Sequence, residues 1–201
     1  MANINVSFII PVYNRPDEIN ELLHSFNNLD GNYNFEIVII EDGSNDCSDN
    51  IISNYSNDLN ISYFKKNNTG PGDSRNFGMK KAKGNYFIIL DSDCILPKNY
   101  LLNFFSNINY RYVDCFGGVD DSHHSFTSFQ KAVNFTMTSL ITTGGIRGGR
   151  SRHKSFQARS FNMGISKKTF ELTGGFSNIH PGEDPDLSLR ISKLDLISGL
   201  Y

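Results

Sequence analysis

The chain has 201 residues, 38% of them hydrophobic and 20% charged, with a formal net charge of −2 and three cysteines. That length suits one domain with a sizeable core, and the composition excludes disorder. A nearly neutral chain without blocks of like charge gives no electrostatic case for nucleic-acid binding. An anionic ligand would need a metal or a local nest of N–H groups.

The first residues, MANINVSFIIPVYNR, lack a basic region followed by a long apolar core, and no window approaches the length of a membrane span. Cys47, Cys94 and Cys115 fit no metal-ligand spacing. They read as free thiols of a reducing compartment. The expectation is a cytoplasmic protein without a transmembrane segment in this chain, with peripheral membrane association left open.

Val6–Val12 (VSFIIPV) reads as a buried strand that runs into a turn at Tyr13-Asn14. Pro16 suits a first helical position, and Asp17 and Glu18 suit the positive end of a helix dipole. Ile19, Leu22, Leu23, Phe26 and Leu29 then fall on one helical face. FEIVIIED is a second buried strand, Ile61–Phe64 a third, and about Asp73 to Ala82 a second helix. The run NYFIILDSD predicts a fourth strand that carries Asp91 and Asp93 at its end.

Later segments are less regular. Asp114–Val119 predicts a strand, 126–141 includes a helix, and 142–155 is a loop with four glycines and four basic residues. SFNMGISKKTFELTGGF gives a strand, a short helix and a Gly-Gly turn, and HPGEDPDLSLRISKL a turn into a helix.

Apolar strands separated by helices indicate an α/β fold with a mostly parallel central sheet covered on both faces. Ligands of such sheets bind beyond the carboxyl ends of the strands. Three of those ends carry polar clusters: Tyr13-Asn14-Arg15, Glu41-Asp42-Gly43-Ser44 and Asp91-Ser92-Asp93. One cluster would be accident; three on one rim point to a site.

Strand alternation would put Asp91 and Asp93 on one side, where carboxylates hold a hard cation together with substrate phosphates. Asp42 serves either the turn before Gly43 or a ligand's N–H or hydroxyl. Thr69-Gly70-Pro71-Gly72 leads into a helix whose backbone N–H groups suit a phosphate, and Arg75 adds a planar donor fork. No Gly-Lys-Ser/Thr follows, and no G-x-G-x-x-G opens the first helix, which disfavours P-loop enzymes and dinucleotide dehydrogenases. Glu183-Asp184 opens a helix, where acids either cap the dipole or act as a general base. His123, His124 and His180 fit no metal spacing.

Pro11-Val12-Tyr13-Asn14, Glu41-Asp42-Gly43-Ser44, Gly70-Pro71-Gly72 with Arg75-Asn76 and Gly78, Asp91-Ser92-Asp93, Asn162-Met163-Gly164, Gly174-Gly175-Phe176 and Gly182-Glu183-Asp184 occur in that order. The set resembles the family 2 glycosyltransferases, inverting enzymes of the GT-A fold, from about Val6 to Arg190. The resemblance implies a single domain over 1–201, with about 1–95 binding nucleotide and about 96–201 binding acceptor. It implies transfer from a nucleoside-diphosphate sugar, most often a UDP sugar, to a hydroxyl of a glycan or lipid-linked acceptor, as in surface polysaccharide synthesis.

By the same resemblance Pro11 and Tyr13 line the base and ribose pocket and Asp42 bonds the base. Arg75 lies by the nucleotide, Asp91 near the ribose, and Asp93 ligates a divalent metal, Mn or Mg. Asp184 is the expected catalytic base, with Glu183 and Arg147 toward the acceptor. The chain has no tryptophan and therefore no Gln-x-x-Arg-Trp motif of processive members, which implies single addition. It also ends soon after Arg190, so a C-terminally shortened form is expected. The alternatives are a nucleotidyltransferase, which would want a basic glycine-rich signature after the first strand, and a non-catalytic sugar-nucleotide-binding module, which would not need Asp184.

Overall fold

A computed structural model describes residues 4–118, 158–179 and 181–201, with Thr136 alone between. In chain order the elements are β1 (Val6–Val12), α1 (Pro16–Asn27), β2 (Phe35–Asp42), α2 (Asp49–Tyr55), β3 (Ile61–Lys66), α3 (Pro71–Lys81) and β4 (Tyr86–Leu90). There follow α4 (Tyr100–Tyr110), β5 (Cys115–Gly117), β6 (Asn162–Ser166), α5 (Lys167–Thr173), α6 (Glu183–Ser192) and β7 (Ser198–Leu200).

The strands form one sheet in the order β3-β2-β1-β4-β6-β5-β7. β1 to β4 are mutually parallel neighbours, β6 runs antiparallel to both β4 and β5, and β7 adds a parallel edge beside β5. Successive side chains of β1 and β2 enter opposite layers, as the two-residue period of a strand requires. Phe8, Ile10, Ile37 and Ile39 pack with α1, α2 and α4 through Leu22, Phe26, Ile52, Leu101 and Phe104. Ile9, Val38 and Ile40 pack on the other face with Met79, Leu187 and Ile191 of α3 and α6. Each of these buried apolar side chains contributes about 1.5–3 kcal/mol.

α1 forms where its pattern predicts, with Pro16 in its first turn and Ile19, Leu22, Leu23 and Phe26 buried. α3 starts at Pro71, two residues ahead of the prediction, and its buried residues Ser74, Arg75, Gly78 and Met79 make no apolar stripe. It docks closely because Gly78 has no side chain: a Cβ there would lie 2.5 Å from Ile40 Cδ1.

Several expectations are corrected. β4 ends at Leu90 rather than Asp93. β1 pairs with it only through Ile89, and β6 only through Leu90, so no backbone partner remains for an extended chain. Residues 91–94 therefore turn, with Cys94 N donating to Asp91 O at 3.2 Å. Strand alternation does not relate Asp91 and Asp93. Asp114 precedes β5 instead of starting it. Two helices, α2 and α4, and the edge strand β7 stand where no element was predicted. Val119, the histidines His123, His124 and His180, the helix within 126–141 and the loop 142–155 lie outside the described residues. The three cysteines are free, as expected.

Candidate functional site

The carboxyl ends of β1, β2 and β4, the start of α3, residues 177–179 and Glu183 enclose a cleft of about 690 Å³. Pro11, Tyr13, Asp42, Arg75, Asp91, Asp93 and Glu183 all line it. These are seven of the nine site residues expected from sequence.

Buried acids build the rim. Glu41 accepts from Ser48 N at 3.0 Å and from Tyr63 Oη at 2.8 Å, and also binds the Ser44 hydroxyl. It thereby ties the β2–α2 loop to Tyr63 of β3. Asn14, at φ 52°, joins that loop to the one after β1. Its side-chain oxygen accepts from Asn45 N at 2.8 Å and Asp46 N at 3.2 Å, while Ser44 Oγ accepts from Asn14 N at 2.8 Å. Asparagine tolerates this left-handed backbone better than most residues. Tyr13 is left projecting, 52% exposed, on the cleft side.

Asp42 is 3% exposed, and three donors converge on it: Lys66 Nζ at 2.5 Å, Thr69 N at 3.0 Å and Gly70 N at 2.9 Å. The N–H groups that sequence assigned to a phosphate are thus turned inward onto this carboxylate. Its oxygens keep acceptor capacity, since two carboxylate oxygens offer about four lone-pair sites. Lys66, which sequence reasoning passed over, also reaches Asp73 at 3.3 Å and the Thr69 hydroxyl. Its signal was there, as a lysine at the end of a strand adjacent to an acid-ended one.

Arg75 is the pivot of the cleft floor. It is 5% exposed, donates to Asp91 Oδ1 at 2.9 Å, faces Glu183 Oε1 at 3.5 Å and lies over the Phe176 ring at 5.3 Å. Its Nε and Nη1 are buried and without a hydrogen-bond acceptor among the described residues. Asp91 keeps 38% of its side-chain surface accessible, yet it sits between the cleft walls. Burial there pushes its carboxyl above the usual aspartate range, Arg75 pulls the other way, and the charges of Asp93 and Asp184 add to the rise.

Asp93 pairs not with Arg75 but with Arg15, Nη1 to Oδ2 at 3.2 Å, with half of each side chain open to solvent. Among the described residues no three His, Cys, Asp or Glu side chains converge on one point. Five carboxylates nevertheless line the cleft against Arg15 and Arg75. With Lys66 behind Asp42 as a third cation, two negative charges stay unmatched among the described residues. A cation would offset this charge against an entering polyanion, and a hard cation asks for just one or two carboxylates plus the ligand's own oxygens.

Asp184 lies beside the cleft without lining it. Its Oδ2 accepts from both the backbone N–H and the hydroxyl of Ser160, each at 3.0 Å, and its Oδ1 is buried with no partner among the described residues. Ser160, not singled out from sequence, therefore fixes this carboxylate. Arg147 lies outside the described residues. Among the described residues no helix is long and apolar enough to cross a membrane.

Residues 7–171 match the model of the family described as glycosyl transferase family 2. An uncharacterized glycosyltransferase of Rickettsia bellii is 31% identical over the whole chain, which spans 28% of that relative's length. Staphylococcus aureus poly(ribitol-phosphate) beta-N-acetylglucosaminyltransferase TarS is 38% identical over 98 residues, 47% of this chain and 17% of TarS. The crystal structure of TarS 1–349 with UDP-GlcNAc superposes with a TM-score of 0.72 at 21% identity, covering 98% of this chain and 59% of that one. A mannosyltransferase from Pyrobaculum calidifontis, in complex with GDP-Man and Mn2+, gives 0.74 at 16% identity over all of this chain and 55% of that one. These two structural likenesses show that the fold is the GT-A type expected from sequence.

Proposed function

The chain belongs to glycosyl transferase family 2, and from that premise we propose that it is the catalytic domain of an inverting, non-processive glycosyltransferase. It moves a sugar from a nucleoside-diphosphate sugar, of the UDP class, to a hydroxyl of a glycan or lipid-linked acceptor in surface polysaccharide synthesis. The observation that carries the reading is the convergence of Tyr13, Asp42, Arg75, Asp91, Asp93 and Glu183 on one acidic cleft at the carboxyl rim of the sheet.

In this reading Pro11 and Tyr13 hold the base and ribose, with the exposed Tyr13 ring offering a stacking face. Asp42, fixed by Lys66 and the Thr69–Gly70 backbone, presents a lone pair to an N–H of the base. Asp91 sits toward the ribose, and Arg75 braces it from below. Asp93, open to the cleft mouth, would hold a divalent Mn or Mg ion in company with the diphosphate. Such an ion neutralises charge on the departing diphosphate. The unmatched acidity of the cleft supports that requirement.

Asp184 takes the acceptor proton as general base, and its Ser160 hydrogen bonds hold Oδ2 so that Oδ1 is left to accept it. Glu183, on the cleft wall beside it, and Arg147 belong to the acceptor side. The whole functions as one domain over 1–201, with donor elements in about 1–95 and acceptor elements in about 96–201. The Mn2+ and GDP-Man of the archaeal neighbour, and the UDP-GlcNAc of TarS, support a metal-assisted sugar-nucleotide donor.

The test is a thermal-shift panel of nucleotides with and without MnCl2. UDP with Mn2+ is expected to raise the melting temperature, and indifference to every nucleoside diphosphate would sink the reading. Donor hydrolysis by wild type and Asp184→Asn separates enzyme from binding module: hydrolysis falling by two orders of magnitude or more in the variant marks a general base.

A further inference from the structure

Arg15 is the residue at the cleft mouth that the proposed chemistry leaves without a task. It immediately precedes α1 and lines the cleft. Its guanidinium reaches across from the β1–α1 loop to Asp93 on the turn after β4, at 3.2 Å. Its other ionic neighbour, Glu18, is more distant at 3.8 Å. The floor cation behaves differently: the Arg75 side chain is 6% exposed and wedged between two carboxylates and a ring, so it cannot leave without abandoning those charges. Arg15 is 48% exposed. Breaking an exposed pair of this kind costs little, because water already solvates both partners.

We propose that Arg15 is a resident counter-cation on Asp93 that hands the carboxylate to the incoming divalent ion and then binds the diphosphate. The inference rests on the sugar-nucleotide reading of the cleft. Asp93 can satisfy Arg15 or a metal, and a divalent ion, which in the case of Mg2+ takes its oxygen ligands at about 2.0–2.1 Å, would displace a surface guanidinium from the same oxygens. Once released, Arg15 lies within one side-chain swing of the phosphates that arrive with that ion. Its planar fork matches phosphate oxygens bidentately. The exchange keeps the mouth of an acidic cleft charge-balanced both before and after ligand entry, which fits its excess of carboxylates.

The pair therefore has opposite effects on two ligands, and this distinguishes it from a structural ion pair. Arg15→Met removes a competitor for Asp93 and a donor for the diphosphate together. Isothermal titration calorimetry on wild type, Arg15→Met and Asp93→Asn, with MnCl2 alone and with UDP plus Mn2+, reads both. The expected result is Mn2+ binding that tightens roughly two- to five-fold in Arg15→Met, while UDP binding weakens roughly ten-fold or more. In the Asp93→Asn background the Arg15 substitution should no longer change Mn2+ binding. Unchanged Mn2+ and UDP affinities in Arg15→Met, or a change in only one of them, overturn the proposal while wild-type UDP binding leaves the donor reading intact. Absence of UDP binding by wild type overturns the donor reading and this inference with it.

Discussion

Arg75 of α3 and Glu183 at the first position of α6 face each other at 3.5 Å across the floor of the cleft. The two residues are 108 positions apart, and the contact links α3 to the helix that carries Asp184. Because Arg75 also donates to Asp91 at 2.9 Å, the guanidinium is shared between a rim carboxylate and a wall carboxylate.

Removing the wall charge should be felt in stability. Glu183→Gln leaves Arg75 nearly buried with Asp91 as its remaining carboxylate partner, a loss of about 1–3 kcal/mol for a buried charged group that forfeits a partner. Chemical denaturation of Glu183→Gln, Arg75→Met and the double variant measures it. The double variant should be less destabilised than the sum of the singles, because each single already breaks the pair. Strict additivity would mean that the contact carries no coupling energy.

The same helix clamps the Gly-Gly-Phe turn. Asn76 donates through Nδ2 to Phe176 O and accepts from Phe176 N, both at 2.8 Å. Gly174 and Gly175 both have left-handed backbones, at φ 73° and 78°. A Cβ at Gly174 meets nothing, whereas one at Gly175 overlaps the Asn76 carboxamide and the Phe170 ring. Gly174→Ala should therefore cost about 1–2 kcal/mol from the backbone alone. Gly175→Ala should cost clearly more and lose the clamp. Equal melting temperatures for the two variants would contradict the packing explanation.

Those clamps explain what could and could not be read from sequence. The apolar runs of β1, β2 and β4 announce buried strands, and their acidic ends announce the rim, because burial and charge are written locally. α2 was not legible: its N-terminus is held by Glu41, which accepts from Ser48 N, and only Ile52 of the helix is buried. α4 did carry a signal, with Leu101, Phe104 and Ile108 on its buried face, though asparagines interrupt the run. The turn that carries Asp91 and Asp93 was invisible because it depends on where β1 and β6 stop pairing with β4. Residues such as Ser160 and Lys66 gained meaning only when the fold set them against Asp184 and Asp42.

Gly164 tests how tightly the antiparallel half of the sheet is packed. It lies in β6 opposite Phe116 of β5, and a Cβ built there overlaps the Phe116 ring. That ring is itself held by Tyr86, stacked at 6.2 Å, and by Tyr201, stacked at 4.9 Å. Gly164→Ala should displace the aromatic cluster and cost about 1–3 kcal/mol, the usual toll of overpacking. Phe116→Leu, which vacates ring volume, should recover part of the loss in the double variant. No recovery would place the strain elsewhere.

Asp91 links the site to pH. Its carboxyl is raised in the folded state, chiefly by burial, above the ordinary aspartate value it has when unfolded. The folded protein therefore holds this proton more firmly than the unfolded chain does. Between the two values the native state binds more protons, so the contribution of this group to stability falls as pH rises through that interval. A depressed carboxylate would give the opposite slope. Asp91→Asn removes the titration but keeps a polar side chain beside Arg75. The melting temperature of the variant relative to wild type should accordingly shift in the variant's favour as pH climbs from 4 toward neutrality. Melts of both proteins in nucleotide-free buffer at constant ionic strength measure this. A difference that is flat with pH, or that moves toward wild type, would show that the attraction of Arg75 outweighs burial and that Asp91 is an ordinary ionised partner of the arginine.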